Sequence, residues 1–90
     1  MLQNKTAIIT GSNRGIGLSI LKKFASEGAD IIAHSRKEDN FFTEECKNLS
    51  HKYKVKISHI YFDLLDKEAI KKEILSIIKT RIPIDILVNS

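Results

Sequence analysis

Four short apolar runs alternate with three longer amphipathic stretches along this chain, and that alternation narrows the possible folds more than any other feature. Thr6–Thr10 (TAIIT) is β-branched and apolar, which predicts a buried strand. Residues 16–27 follow with Ile16, Ile20, Leu21, Phe24 and Ala25 at helical spacing, and Gly28 supplies a stop. Asp30–Ser35 (DIIAHS) predicts a second strand. Phe42, Cys46, Leu49 and Tyr53 place a second helix over residues 41–53, and residues 56–62 (KISHIYF) predict a third strand. Asp66 has the character of an N-cap. The helix after it carries Ala69, Ile70, Ile74, Ile77 and Ile78 on one face, with Pro83 just past its end. Residues 84–89 (IDILVN) predict a fourth strand. Strands alternating with amphipathic helices imply an α/β domain, β-α-β-α-β-α-β, with a parallel sheet and right-handed crossovers. The strands are apolar almost throughout, as parallel strands covered on both faces are.

A chain of 90 residues makes one domain with a modest core. Apolar residues at 42% and charged residues at 29% are ordinary for a soluble globular protein. The net charge of +4 favours anionic partners weakly, and both nucleic acid and a phosphorylated cofactor satisfy it. The basic residues are scattered and form no recognition-helix motif, which argues against nucleic acid. Cys46 is the single cysteine, so no intrachain disulfide forms. His34, His51 and His59 lie far apart with no cysteine at zinc spacing, and none of them reads as a metal ligand. The N-terminus lacks a signal-peptide apolar region, and no run approaches the roughly 18 continuous apolar residues of a membrane span. A cytoplasmic protein with no membrane partner is expected.

Between the first strand and the first helix runs Thr10-Gly11-Ser12-Asn13-Arg14-Gly15-Ile16-Gly17. A helix N-terminus offers unpaired N–H groups and about half a positive charge, so a glycine turn leading into it can seat a phosphate. Gly11 would permit the sharp turn out of the strand. Gly15 would remove a Cβ where a ligand approaches, and Gly17 would let the helix pack close to the sheet. The spacing is not that of a P-loop, because position 16 is isoleucine where Lys-Ser/Thr would have to begin. Nor is it G-x-G-x-x-G, since Ser12-Asn13-Arg14 separates the first two glycines.

The form that stands, T-G-x-x-x-G-x-G, resembles the glycine motif of the short-chain dehydrogenase/reductase family, matched by Thr10, Gly11, Gly15, Ile16 and Gly17. Two further segments carry the resemblance in the same order: DLLD after the third strand, and DILVNS at residues 85–90. All three fall at the C-terminal ends of strands, where open α/β sheets bind ligands. The resemblance covers the whole chain but only the N-terminal half of the family fold, a Rossmann-type doubly wound sheet of strand order 3-2-1-4. It implies that residues 1–90 are a partial NAD(P)-binding domain ending before the family's catalytic serine, tyrosine and lysine. Neither tyrosine substitutes, since Ile57 stands four residues beyond Tyr53 and Leu65 four beyond Tyr61.

Residue by residue, the resemblance implies cofactor contacts from the glycine turn (Gly11, Ser12, Asn13, Arg14, Gly15, Ile16, Gly17), from Ser35 and Arg36, from Asp63 and Leu64 beside the adenine, and from Asn89 and Ser90. Ser90 replaces the family's more frequent second asparagine. Asp63 has a bland reading too, as the start of a connection. An NAD-selective site usually carries an acid at the end of the second strand. Here that end reads His34-Ser35-Arg36-Lys37, and Asp30 lies at the strand's other end. Arg36, with Arg14 from the other side, would suit a 2′-phosphate, so NADP is expected over NAD.

Within the family the pattern looks most like the 3-oxoacyl-[acyl-carrier-protein] reductases of fatty-acid synthesis. That implies NADPH-dependent reduction of a ketone in a homo-oligomeric parent enzyme. Sugar and alcohol dehydrogenases share much of this half, and a noncatalytic nucleotide-binding module is a further alternative. The fourth strand is expected to form an open sheet edge.

Overall fold

A computed structural model describes all of residues 1–90. The elements run β1 (Thr6–Thr10), α1 (Gly15–Ser26), β2 (Asp30–Ser35), α2 (Asn40–Tyr53), β3 (Ile57–Tyr61), α3 (Lys67–Thr80) and β4 (Ile86–Asn89). The four strands form one parallel sheet in the order β3-β2-β1-β4. This is the expected Rossmann-like α/β arrangement.

Local chemistry sets the element ends. α2 begins at Asn40, one residue before the sequence expectation, because the Asp39 carboxylate accepts the N–H groups of Phe41 (3.0 Å) and Phe42 (3.2 Å). Asp66 caps α3 in the same way, accepting from Ala69 N–H at 3.1 Å. β3 is shorter at both ends than expected. Lys56 N–H donates to the Asp30 carboxylate, while Phe62 N–H donates to the Ser35 carbonyl as the chain leaves the sheet. β4 starts at Ile86 rather than 84, because the Asp85 carboxylate takes the Thr6 N–H at 2.9 Å in place of a ladder carbonyl.

The sheet's two faces follow from the direction of the crossovers. β1-α1-β2 and β2-α2-β3 both step outward, and β3-α3-β4 returns past β1. Right-handed connections therefore put α1 and α2 on one face and α3 on the other. Ala7, Ile9, Ile31 and Ala33 alternate inward from the strands toward α1 and α2. There they pack with Leu21, Ala25, Phe42, Cys46 and Val55. Burial of each large member of this cluster stabilises by about 1.5–3 kcal/mol. The α3 face differs: α3 has no buried residue, and it makes only sparse contact with the other elements.

Candidate functional site

The strand order reverses between β1 and β4, which opens a crevice beyond their C-terminal ends. The glycine turn leaves β1 there, and Asn89 and Ser90 end β4 there. Thr10 joins the two. Its Oγ1 donates to Asn89 Oδ1 at 3.1 Å and accepts from Ser90 N–H at 3.1 Å, while Ser90 Oγ donates to the Thr10 carbonyl. A serine at position 90 thus still closes the crevice against β1.

Each glycine of the turn has a different reason to be glycine. Gly11 (φ +57°) and Gly15 (φ +61°) adopt left-handed backbone that L side chains rarely take. Space above Gly15 is open, with nothing within 4 Å of where a Cβ would sit. At Gly17 a Cβ would fall 2.2 Å from the Gly11 carbonyl oxygen and 2.6 Å from Ser90 Oγ, so the helix backbone lies directly on the turn.

Of the three helices, α1 alone lacks a side-chain cap. Arg14 occupies its N-cap position in an extended conformation (φ −162°) and donates nothing back. No acid stands in the first turn, and Leu18 N–H is the first to find a helical acceptor, the Arg14 carbonyl. Gly15, Ile16 and Gly17 N–H groups have no acceptor within the protein. The positive end of α1 is therefore open to an anion at the mouth of the crevice. Asn13 is half-buried, while Arg14 and Ile16 project from the same mouth, both exposed; Arg14 makes no ion pair. These residues fit a pyrophosphate-bearing cofactor: open space above Gly15, which lacks a Cβ, lies beside unpaired N–H donors.

The ends of β2 and β3 form the other wall. Ser35 is fully buried, and its hydroxyl donates to the Lys37 carbonyl, shaping the exit from β2. Arg36 Nη2 lies 3.4 Å from Asp63 Oδ2, and Asp63 Oδ1 accepts from Leu65 N–H at 2.9 Å. Leu64 is half exposed beside them. No carboxylate stands at the C-terminal end of β2 itself, which reads His34-Ser35-Arg36-Lys37. The fold brings one from β3, because Ser35 pairs with Tyr61 and the chain beyond each strand continues alongside. Asp30 stays at the opposite edge, holding Lys56 N–H at 2.8 Å.

Other titratable groups lie away from the crevice. Burial, with the Glu45 charge adding to it, pushes the Cys46 thiol up to about 12. Burial also holds the His59 imidazole below its ordinary 6.5, against the opposing charge of Glu38. Its ring stands edge-on to Phe42 and stacks on Tyr61, and its Nδ1 is buried without a partner. Tyr53 packs against the core. A cleft of about 650 Å³ lies between α3 and the N-terminal half of the sheet, where Thr6, Asp30 and Ile57 stand. That is the wrong edge for the glycine turn. No group of three or more His, Cys, Asp or Glu side chains is placed to hold a metal ion, and no helix is long and apolar enough to cross a membrane.

Residues 5–90 match the short chain dehydrogenase family. The chain is 40% identical over 91 residues to the 3-oxoacyl-[acyl-carrier-protein] reductase FabG of Aquifex aeolicus, covering 99% of this chain and 36% of that protein. It is 35% identical over 92 residues to a 7alpha-hydroxysteroid dehydrogenase of Paraclostridium sordellii, covering 99% of this chain and 33% of that one. Among solved structures, the L-sorbose reductase of Gluconobacter frateurii complexed with NADPH and L-sorbose superposes with a TM-score of 0.86 at 35% identity. That superposition covers 99% of this chain and 34% of the reductase. The chain thus spans about a third of the length of these relatives. A match from Lys5 to Ser90, on a strand order shared with that reductase, makes the chain a member of the short chain dehydrogenase family.

Proposed function

We propose that residues 1–90 form the adenosine- and pyrophosphate-binding part of an NADP(H)-dependent oxidoreductase that reduces a ketone, a 3-oxoacyl thioester in the first instance. The observation that carries the cofactor reading is the uncapped N-terminus of α1, whose unpaired N–H groups face a glycine cradle at the sheet's switch point. When bound, the dinucleotide supplies the hydride chemistry. The residues of this chain bind and orient it. The glycine turn takes the pyrophosphate, Leu64 and Asp63 flank the adenine, and Asn89 and Ser90 hold the crevice closed behind it.

The NADP preference rests on Arg36, which is 74% exposed on its side chain, and on Arg14, which has no carboxylate partner. Asp63 already neutralises part of the Arg36 charge, so a 2′-phosphate would compete with that carboxylate for the guanidinium. A forked cation prefers the more highly charged anion in such a competition. The ketone and 3-oxoacyl reading rests on the likeness to the Aquifex aeolicus reductase, which is somewhat greater than the likeness to the steroid enzyme.

Titration of the chain with NADPH and with NADH, for the wild type and Arg36→Asp, tests the cofactor reading. NADPH should bind about tenfold or more tightly than NADH to the wild type, and the preference should vanish in Arg36→Asp. An unchanged ratio would overturn the role given to Arg36, and no binding of either dinucleotide would overturn the reading as a whole.

A further inference from the structure

His34 joins three strand ends with one side chain. It is 2% exposed, at the C-terminal end of β2. Its Nδ1 lies 3.1 Å from the Gly11 nitrogen, and its Nε2 lies 2.9 Å from the Phe62 carbonyl oxygen. Its own carbonyl accepts both the N–H and the hydroxyl of Ser12, each at 2.9 Å. The Phe62 ring sits against it at 4.3 Å.

These partners leave no freedom in how the ring carries its proton. A backbone N–H can only donate, so Nδ1 must present its lone pair to Gly11. A carbonyl can only accept, so Nε2 must carry the hydrogen. The neutral Nε2–H imidazole is the one form that satisfies both neighbours. It holds Gly11 by its N–H while the Gly11 carbonyl lies against Gly17, so the turn is fixed from both sides in its left-handed conformation. It also holds the residue immediately before Asp63.

We propose that His34 is the positioning residue of the dinucleotide site, setting the glycine turn and the Asp63 segment at a fixed distance from each other. This rests on the dinucleotide reading above. His34 does not touch the cofactor. It acts through Gly11 and Phe62, so that the pyrophosphate cradle and the adenine wall are already spaced when the ligand arrives.

Substitutions can separate the two bonds. His34→Asn keeps an acceptor near the Nδ1 position, His34→Gln keeps a donor near the Nε2 position, and His34→Leu fills space with neither. NADPH dissociation constants and melting temperatures would be measured for all four chains. His34→Leu should bind at least about tenfold more weakly, and His34→Asn and His34→Gln, each keeping one of the two bonds, should fall between it and the wild type. Wild-type affinity in His34→Leu, or losses that follow melting temperature irrespective of the acceptor, would overturn the proposal.

A measurement on the unaltered chain covers the case in which His34→Leu does not fold. Long-range ¹H–¹⁵N spectra should show His34 protonated at Nε2 and bare at Nδ1. The opposite tautomer would overturn the proposal. Wild-type protein with the Nε2–H tautomer that binds neither NADPH nor NADH would overturn the dinucleotide reading instead, and the positioning role with it.

Discussion

The two faces of the sheet are built from similar residues and end in different states. On the α1–α2 face, Leu21, Ala25, Phe42 and Cys46 are buried against the odd-numbered residues of β1 and β2. On the α3 face, Ile78 is 64% exposed and Leu87 of β4 is 68% exposed, although α3 is as amphipathic in pattern as its counterparts. The difference lies in how many helices share a face. Two helices fill the grooves over β1, β2 and β3 jointly, and Lys22 of α1 reaches Glu45 of α2 at 3.0 Å along their seam. A lone helix over four strands leaves a cleft beside it. An apolar stripe becomes core only where a second surface meets it.

The sharpest contrast between the faces should be chemical. Cys46 is buried on the closed face with its thiol pushed up to about 12 from an ordinary 9.0. Its thiolate fraction near neutral pH should fall by about a thousandfold from that change alone. Alkylation followed by mass spectrometry should find Cys46 inert in the folded chain. A cysteine introduced by Ile78→Cys on the open face should react at the rate of a free thiol. Comparable rates would mean that the closed face opens as readily as the other.

Side-chain truncation should separate the faces next. Leu21→Ala should cost about 2–5 kcal/mol, because its site is fully buried and cannot collapse. Ile78→Ala should stay within about 0.5 kcal/mol of wild type in a urea melt. Equal costs would place α3 in the core after all.

Helix caps offer a smaller test. Asp39→Ala should lower global stability by about 1 kcal/mol, since α2 is part of the closed core. Asp66→Ala should fray α3, seen as lost helical circular dichroism, with a lesser change in the melting midpoint. A full-sized drop in midpoint from Asp66→Ala would show that α3 is coupled to the rest.

The smallest expected effect concerns acidity. His59 sits at the rim of the closed face and is held below its ordinary 6.5 by burial. The unfolded chain therefore binds this proton more readily than the folded one. Its contribution to stability is complete above about 6.5 and is lost as pH falls below that value. His59→Phe should flatten stability between pH 7 and 5 relative to wild type. Glu27, held below its ordinary 4.5 by Lys23, acts in a separate window: its contribution stands above 4.5 and is lost as pH falls through the lowered value. An unchanged slope in His59→Phe would remove His59 as a source of acid sensitivity.

The element order was legible because four apolar runs and three helical stripes alternate without interruption, while the strand order followed only from the family resemblance carried by the glycine turn, DLLD and DILVNS. The glycine turn was legible from its spacing taken together with DLLD and DILVNS at the ends of later strands. The start of α2 was less so, because Glu38, Asp39 and Asn40 offer adjacent polar candidates, and only the geometry picks Asp39 as the cap. The Arg36–Asp63 pair was hidden because its members lie on different strand ends. The register of β2 with β3 could have revealed it, since Ser35 faces Tyr61 and the following residues run together. The sequence marks His34 only as a non-ligand, since it has no cysteine or histidine near it. Its partners are a backbone N–H and a backbone carbonyl, which leave no trace in side-chain identity. The exposed Ile stripe of α3 carries the same periodicity as a buried one, so periodicity alone could not tell them apart.

The position of β1 between β2 and β4 has a consequence for timing. β3 and β4 are the edge strands, whereas β1 and β2 are each flanked on both sides, and the glycine turn leaves from one of these two inner strands. Amide hydrogens of a strand flanked on both sides exchange through the largest openings of a fold, and those of edge strands through local fraying. β1 and β2 amides should therefore be the last of the strands to exchange with deuterium, and β3 and β4 amides the first. The glycine turn hangs from the part of the molecule that is slowest to come apart.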